Sequence, residues 1–159
     1  MTRPAVLLVA AALVVSIAGC GAAPGSPDPE AALCRYLAIE RPLPALSLRL
    51  REAVLARDAE TALAAAADMR REVERVPDDP IERTYPTNWW QLARLIQGAT
   101  FFYRFGAGLV QKGFLERPWN EDDLRNALEM LARGDESVRD ADAELRRLTE
   151  DGRQPRCSG

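Results

Sequence analysis

Residues 46–76, LSLRLREAVLARDAETALAAAADMRREVERV, carry two helical patterns that do not share a phase. Leu46, Leu50, Ala53 and Val54 line one face of the first half. Ala59, Ala62, Ala66, Met69, Val73 and Val76 line a face of the second, and that series runs backward through Leu55 and Leu48 while missing Leu46, Leu50 and Val54. A phase change beside Asp58, a residue suited to capping a helix start, predicts a tight helix–helix turn there. One continuous helix is the competing reading.

Upstream, helical patterning begins at Pro29 and runs through Leu33, Tyr36 and Leu37 until Arg41-Pro42-Leu43-Pro44 interrupts it. Proline lacks the backbone donor and disfavours helix in the residue before it, so a kink or short break is expected in the first helix. Downstream, Pro77, Pro80 and Pro86 bound the longest loop, residues 77–87, which holds Asp78, Asp79, Glu82 and Tyr85. Asn88 followed by Gln91 resembles a capping box and predicts a helix from there to about Lys112. Leu92, Leu95, Ile96, Ala99, Phe102, Tyr103, Ala107 and Val110 cover more than half of its circumference, so it must touch neighbours on two sides. Gly98, Gly106 and Gly108 predict close backbone approach, with fraying near Gly106 as the alternative. Asn120 caps the last helix, flanked by Trp119 and Leu124 at staple positions. Its apolar series from Leu124 to Leu148 keeps one phase, which makes Gly134 a packing position; a stop at Gly134 with Asp135 as the next cap is the alternative.

The N-terminus carries a different signal. Arg3 leads an apolar core from Ala5 to Val15, followed by Ser16 and then Ile17-Ala18-Gly19-Cys20. The apolar run is shorter than the about 20 residues a membrane span needs. Residues 1–19 resemble the signal peptide of a bacterial lipoprotein, with residues 17–20 as its lipobox. That resemblance implies acylation of Cys20 by a diacylglyceryl thioether, commonly with a further palmitate-type chain on the amine. It also implies an address, the extracytoplasmic face of the cell membrane, with the lipid bilayer as first partner. Residues 20–28, rich in glycine and proline, read as a flexible tether, and residues 29–157 as one domain. The general layout is similar to small helical lipoproteins of unassigned role.

If lipid takes Cys20, Cys34 and Cys157 remain as an even pair in an oxidising compartment, and a disulfide between them is expected. That expectation bears on the helix count. Four helices alternating in direction bring the end of the last beside the start of the first, whereas three would leave Cys34 and Cys157 about 40 Å apart. Phase break and cysteine pair agree on an all-α, antiparallel up-down four-helix bundle with a proline-kinked first helix, closed by one disulfide.

Chemistry is sparse. The chain has no histidine, which removes the commonest general base and metal ligand. No Gly-x-Ser-x-Gly, phosphate-cradling or dinucleotide motif occurs, so no catalytic, cofactor or metal residue is assigned. Asp78, Asp79 and Glu82, and Glu121, Asp122 and Asp123, are the candidate carboxylate groupings, and loop acids are usually solvated while acids at a helix start favour the macrodipole. Without Arg3 the chain has 20 basic and 24 acidic residues and no polybasic patch, which disfavours nucleic acid.

The sharper feature is aromatic. Trp90, Arg94, Phe101 and Phe105 fall in or beside the polar arc of the central helix, spaced for a cation–π contact and a ring stack. Coverage by the first helix or the 77–87 loop, as ordinary core, is the favoured reading. Exposure would make them an interaction surface for an unidentified protein partner. A small apolar or lipidic ligand inside the bundle is the alternative function.

Overall fold

A computed structural model describes residues 28–76 and 81–157, and every regular element among them is helical. The signal over 1–19 with its lipobox, acylated Cys20, the tether up to residue 27, and Asp78 and Asp79 lie outside the described residues. Helix α1 (Pro29–Glu40) starts on Asp28, whose carboxylate accepts from the Glu30 amide at 3.1 Å. It stops at the expected Arg41-Pro42 turn, and α2 (Leu43–Leu55) follows.

The break between α2 and α3 (Ala59–Val73) is real, and its chemistry is local. Arg57 adopts a left-handed backbone with φ 57°, and the amides of Arg57 and Asp58 bond back to the carbonyls of Val54 and Ala53 at 3.1 and 3.0 Å. This is a Schellman closure with arginine where glycine is usual, at a strain of roughly 1 kcal/mol. Asp58 then caps α3 by accepting from the Thr61 amide at 3.1 Å. Leu48 and Leu55, which a continuous helix would have buried with the α3 series, are 56% and 69% exposed. Leu50, Val54, Ala62, Ala66, Met69 and Val73 are buried.

A short helix α4 (Ile81–Thr84) and a 3-10 turn (Thr87–Trp89) lead into α5 (Trp90–Leu115). The Asn88 capping box is therefore a correction: Asn88 lies in the 3-10 turn, and no side chain caps α5. Two indoles hold its start instead, Trp89 donating to the Arg153 carbonyl at 2.8 Å and Trp90 to the Tyr85 carbonyl at 2.9 Å. At the other end α5 passes Lys112 and does not fray near Gly106.

Helix α6 (Glu121–Glu150) is continuous through Gly134, with Asn120 accepting from the Asp123 amide at 3.1 Å. Gly152, at φ 67°, ends it through a second Schellman closure, in which the Arg153 amide returns to the Leu148 carbonyl at 2.8 Å. The tail then brings Cys157 to Cys34 at bonding distance, with sulfurs 2.04 Å and Cα atoms 5.3 Å apart.

The most extensive helix contact is α5 against α6. Gly113 faces Leu124, Gly106 faces Leu131 and Tyr103 faces Gly134, so residue numbers fall along α5 as they rise along α6. The same opposed order links Arg70 to Gln111 and Arg104 to the Val73 carbonyl between α3 and α5. It also links Arg51 of α2 to Asp135, and Arg57 in the turn after α2 to Glu121, along α6. Two core clusters result: one joins α2 and α3 to α5 and α6, and the other joins α1 and the segment around Tyr85 to the first half of α5 and the end of α6. No helix among the described residues is long and apolar enough to cross a membrane.

The seam yields a paired prediction. A Cβ on Gly134 would stand 2.6 Å from the Tyr103 ring, whereas one on Gly108 would meet nothing within 4 Å. Alanine favours helix over glycine by about 1 kcal/mol. Gly108→Ala should therefore stabilise the domain by up to about 1 kcal/mol, and Gly134→Ala should destabilise it by about 1 to 3 kcal/mol through overpacking. Urea denaturation of the two variants checks both signs.

Candidate functional site

Helix α5 places its aromatic residues by phase. With Leu92, Ile96, Tyr103 and Val110 turned inward, Phe101 and Phe105 point away from both neighbours. They are 60% and 51% exposed, and their rings stack with centroids 6.2 Å apart and planes 2° from parallel. The expectation that these two rings are core is thereby corrected: α1 and α4 pack against a different face of α5. Trp90 is half-buried because its indole N–H is committed to Tyr85, and the Arg94 guanidinium lies 5.9 Å from its ring centroid. The four residues thus form two pairs, separated along the helix by two turns or roughly 10 Å.

The acids at the start of α6 are occupied. Glu121 pairs with Arg57, Asp122 with Arg125 at 3.2 Å, and the buried Asp123 with Lys112 at 2.7 Å. Among the described residues no group of three or more candidate ligands is placed to hold a metal ion.

A second candidate lies at the disulfide end, where α1, α6 and the tail enclose a cleft of about 1090 Å³. Leu37, Pro44, Val138 and Leu145 give it apolar walls, and Cys34 and Cys157 line one side. Glu40, the last residue of α1, also lines it while being only 5% exposed. Its Oε1 has no hydrogen-bond partner among the described residues. Burial first, and then the charge of Asp142 across the cleft, push the Glu40 carboxyl up to about 8. The group is therefore neutral at pH 7. Sequence reasoning missed it, although a signal exists: Glu40 stands seven residues after Leu33 and four after Tyr36, on the buried stripe of α1.

A polar layer adjoins the cleft inside the bundle. The Tyr103 hydroxyl donates to Asp135 Oδ1 at 2.9 Å, while Arg51 donates to Oδ2 at 2.9 Å. Burial, then the Asp135 charge, holds the phenol far above its usual range, so it remains a donor. No family model matches this chain, and neither a curated protein nor a solved structure matches it.

Glu40 sets a pH dependence whose sign is fixed by linkage. Its folded value of about 8 lies above the ordinary 4.5, so the folded state holds a proton that the unfolded chain has lost between those values. The stability belonging to the neutral carboxyl is complete below about pH 4.5, declines as pH rises and is gone above about pH 8. Glu40→Gln should flatten the decline and leave the domain more stable than its parent at pH 8 by on the order of 2 kcal/mol. Denaturant midpoints at pH 5, 6.5 and 8 for both chains measure it.

Proposed function

We propose that this chain is a lipid-anchored module on the extracytoplasmic face of the cell membrane, non-catalytic, which docks a protein partner through the outward face of α5. Its domain is an antiparallel up-down four-helix bundle with the first helix broken at Pro42. Support for the topology comes from the opposed registers of the α2–α6, α3–α5 and α5–α6 contacts. Support for the anchor comes from Arg3, the apolar core and Cys20 in that order.

The observation that carries the docking reading is the exposed, parallel stack of Phe101 on Phe105. Aromatic rings left in water beside arginines have the composition of an interface centre. A second reading, a binder of a small apolar ligand, draws on the cleft beside α1 rather than on a cavity enclosed by all four helices.

Two measurements test the proposal. Cys20→Ala should move the chain from the membrane fraction to the soluble fraction of fractionated cells; retention in the membrane would remove the lipid anchor. A photoreactive phenylalanine analogue at position 101 or 105 should yield one discrete protein adduct in intact cells, and the same group at the equally exposed Leu48 should not. Purified domain should compete that adduct away, and the Phe101→Ser/Phe105→Ser domain should not, while losing no more than about 1 kcal/mol of stability. Equal labelling from position 48, lipid adducts only, or equal competition by the double variant would each sink the docking face.

A further inference from the structure

We propose that the cleft between α1, α6 and the C-terminal tail binds an organic ammonium ion with an apolar body, its head held by Glu40 and Asp142 and its body by Leu37, Val138 and Leu145. The inference goes beyond the docking face and shares with the second reading only that the cleft takes a ligand.

Three observations meet there. A carboxyl that is 95% buried leaves one oxygen without a partner among the described residues, in the wall of an open cleft rather than in a sealed core. Buried polar atoms in folded proteins are nearly always satisfied, so an orphan of this kind marks a group reserved for something absent. Opposite it stands a second carboxylate, Asp142, close enough for its charge to oppose ionisation of Glu40. Leu37, Ala38, Pro44, Val138 and Leu145 form an apolar wall beside the two carboxyls, which suits an alkyl chain, while Thr149 and Gln154 add polar groups toward the tail.

Charge selects the ligand class. An anion would face the Asp142 carboxylate and the unpartnered Glu40 oxygen, and a neutral donor would leave the Asp142 charge unscreened. An ammonium ion supplies the missing donor to Glu40 and screens Asp142 at once. Arg41 and Arg156, both exposed, also line the cleft, so a single cationic head on an apolar chain is favoured over a polyamine. The binding moves one proton only: the Glu40 O–H breaks, its proton goes to solvent, and the ammonium takes its place as donor and counter-charge.

The groups bearing on Glu40 are few. Asp142 faces it from α6, Arg41 and Arg156 share its cleft, and the Tyr103 hydroxyl on α5 senses its charge from the Arg51–Asp135 layer. An alkylammonium keeps its charge up to pH 9, as a lysine does. In the pH 6 to 8 window Glu40 is therefore the group whose ionisation the ligand must drive.

Calorimetric titration of the purified chain with n-hexylammonium, n-hexanol and hexanoate between pH 6 and 9 tests this. The ammonium should bind at least about tenfold tighter than the alcohol at pH 8. Its affinity should rise by nearly tenfold per pH unit from 6 to 8 and level off above, a slope of one proton. Buffers of different ionisation heat should report about one proton released per ligand at pH 6.5. Glu40→Gln, verified as folded by its thermal melt, should lose both the slope and the tenfold preference, and Asp142→Asn should weaken binding while keeping the slope. Preference for hexanoate, no binding by any probe, or an unchanged preference in Glu40→Gln would overturn the proposal. Equal affinity for hexanol would overturn it too, while leaving the apolar-ligand reading of the cleft intact.

Discussion

The contact on which the bundle depends is the Tyr103 ring lying against the bare backbone of Gly134. A glycine inside a 30-residue helix is unfavourable by about 1 kcal/mol, and burying an aromatic side chain completely returns roughly 1.5 to 3 kcal/mol. The sum favours the pair only where ring and gap coincide. Sliding α5 by one turn would set the ring against Leu131 or Val138, where a side chain already fills the space. The register of the longest seam is therefore set at one level. The Tyr103 hydroxyl extends the constraint to a third helix, since Asp135 accepts its hydrogen bond on one oxygen and that of the Arg51 guanidinium of α2 on the other.

Most of the architecture was legible because it is written in periodicity. Leu48 and Leu55 fall out of step with Leu50 and Val54, and the structure resolves the conflict by exposing the first two and turning the chain at Arg57. Asp58 and Asn120 were readable as caps because their partners lie three residues on in the same segment. Asn88 had the same local signature and failed. There the start of α5 is fixed by indole bonds, one of which crosses 64 residues to Arg153, and local sequence carries no record of that partner.

The candidate sites were less legible for opposite reasons. Phe101 and Phe105 read as core because aromatic side chains on a broadly apolar helix usually are, and only the placement of α3 and α6 shows that both neighbours of α5 are already seated elsewhere. Glu40 drew no expectation from the sequence. The cleft it lines is bounded on one side by the C-terminal tail, and Gly152, which turns that tail, and Cys157, which ties it to Cys34, lie more than a hundred residues further along the chain.

These two exceptions to the folding pattern differ in what they demand of the fold. An exposed phenylalanine forgoes a burial it never had, and its neighbours pack equally well without it. A carboxyl on a buried stripe is another matter: it must either stay protonated across most of the physiological range or bring a charge into an apolar wall, and either way it lowers the stability that leucine at the same position would give. Sequence and structure agree nearly everywhere in this domain, so a position that works against the fold is the more informative one. By that measure the cleft around Glu40 is the feature of this histidine-free domain that packing alone does not account for.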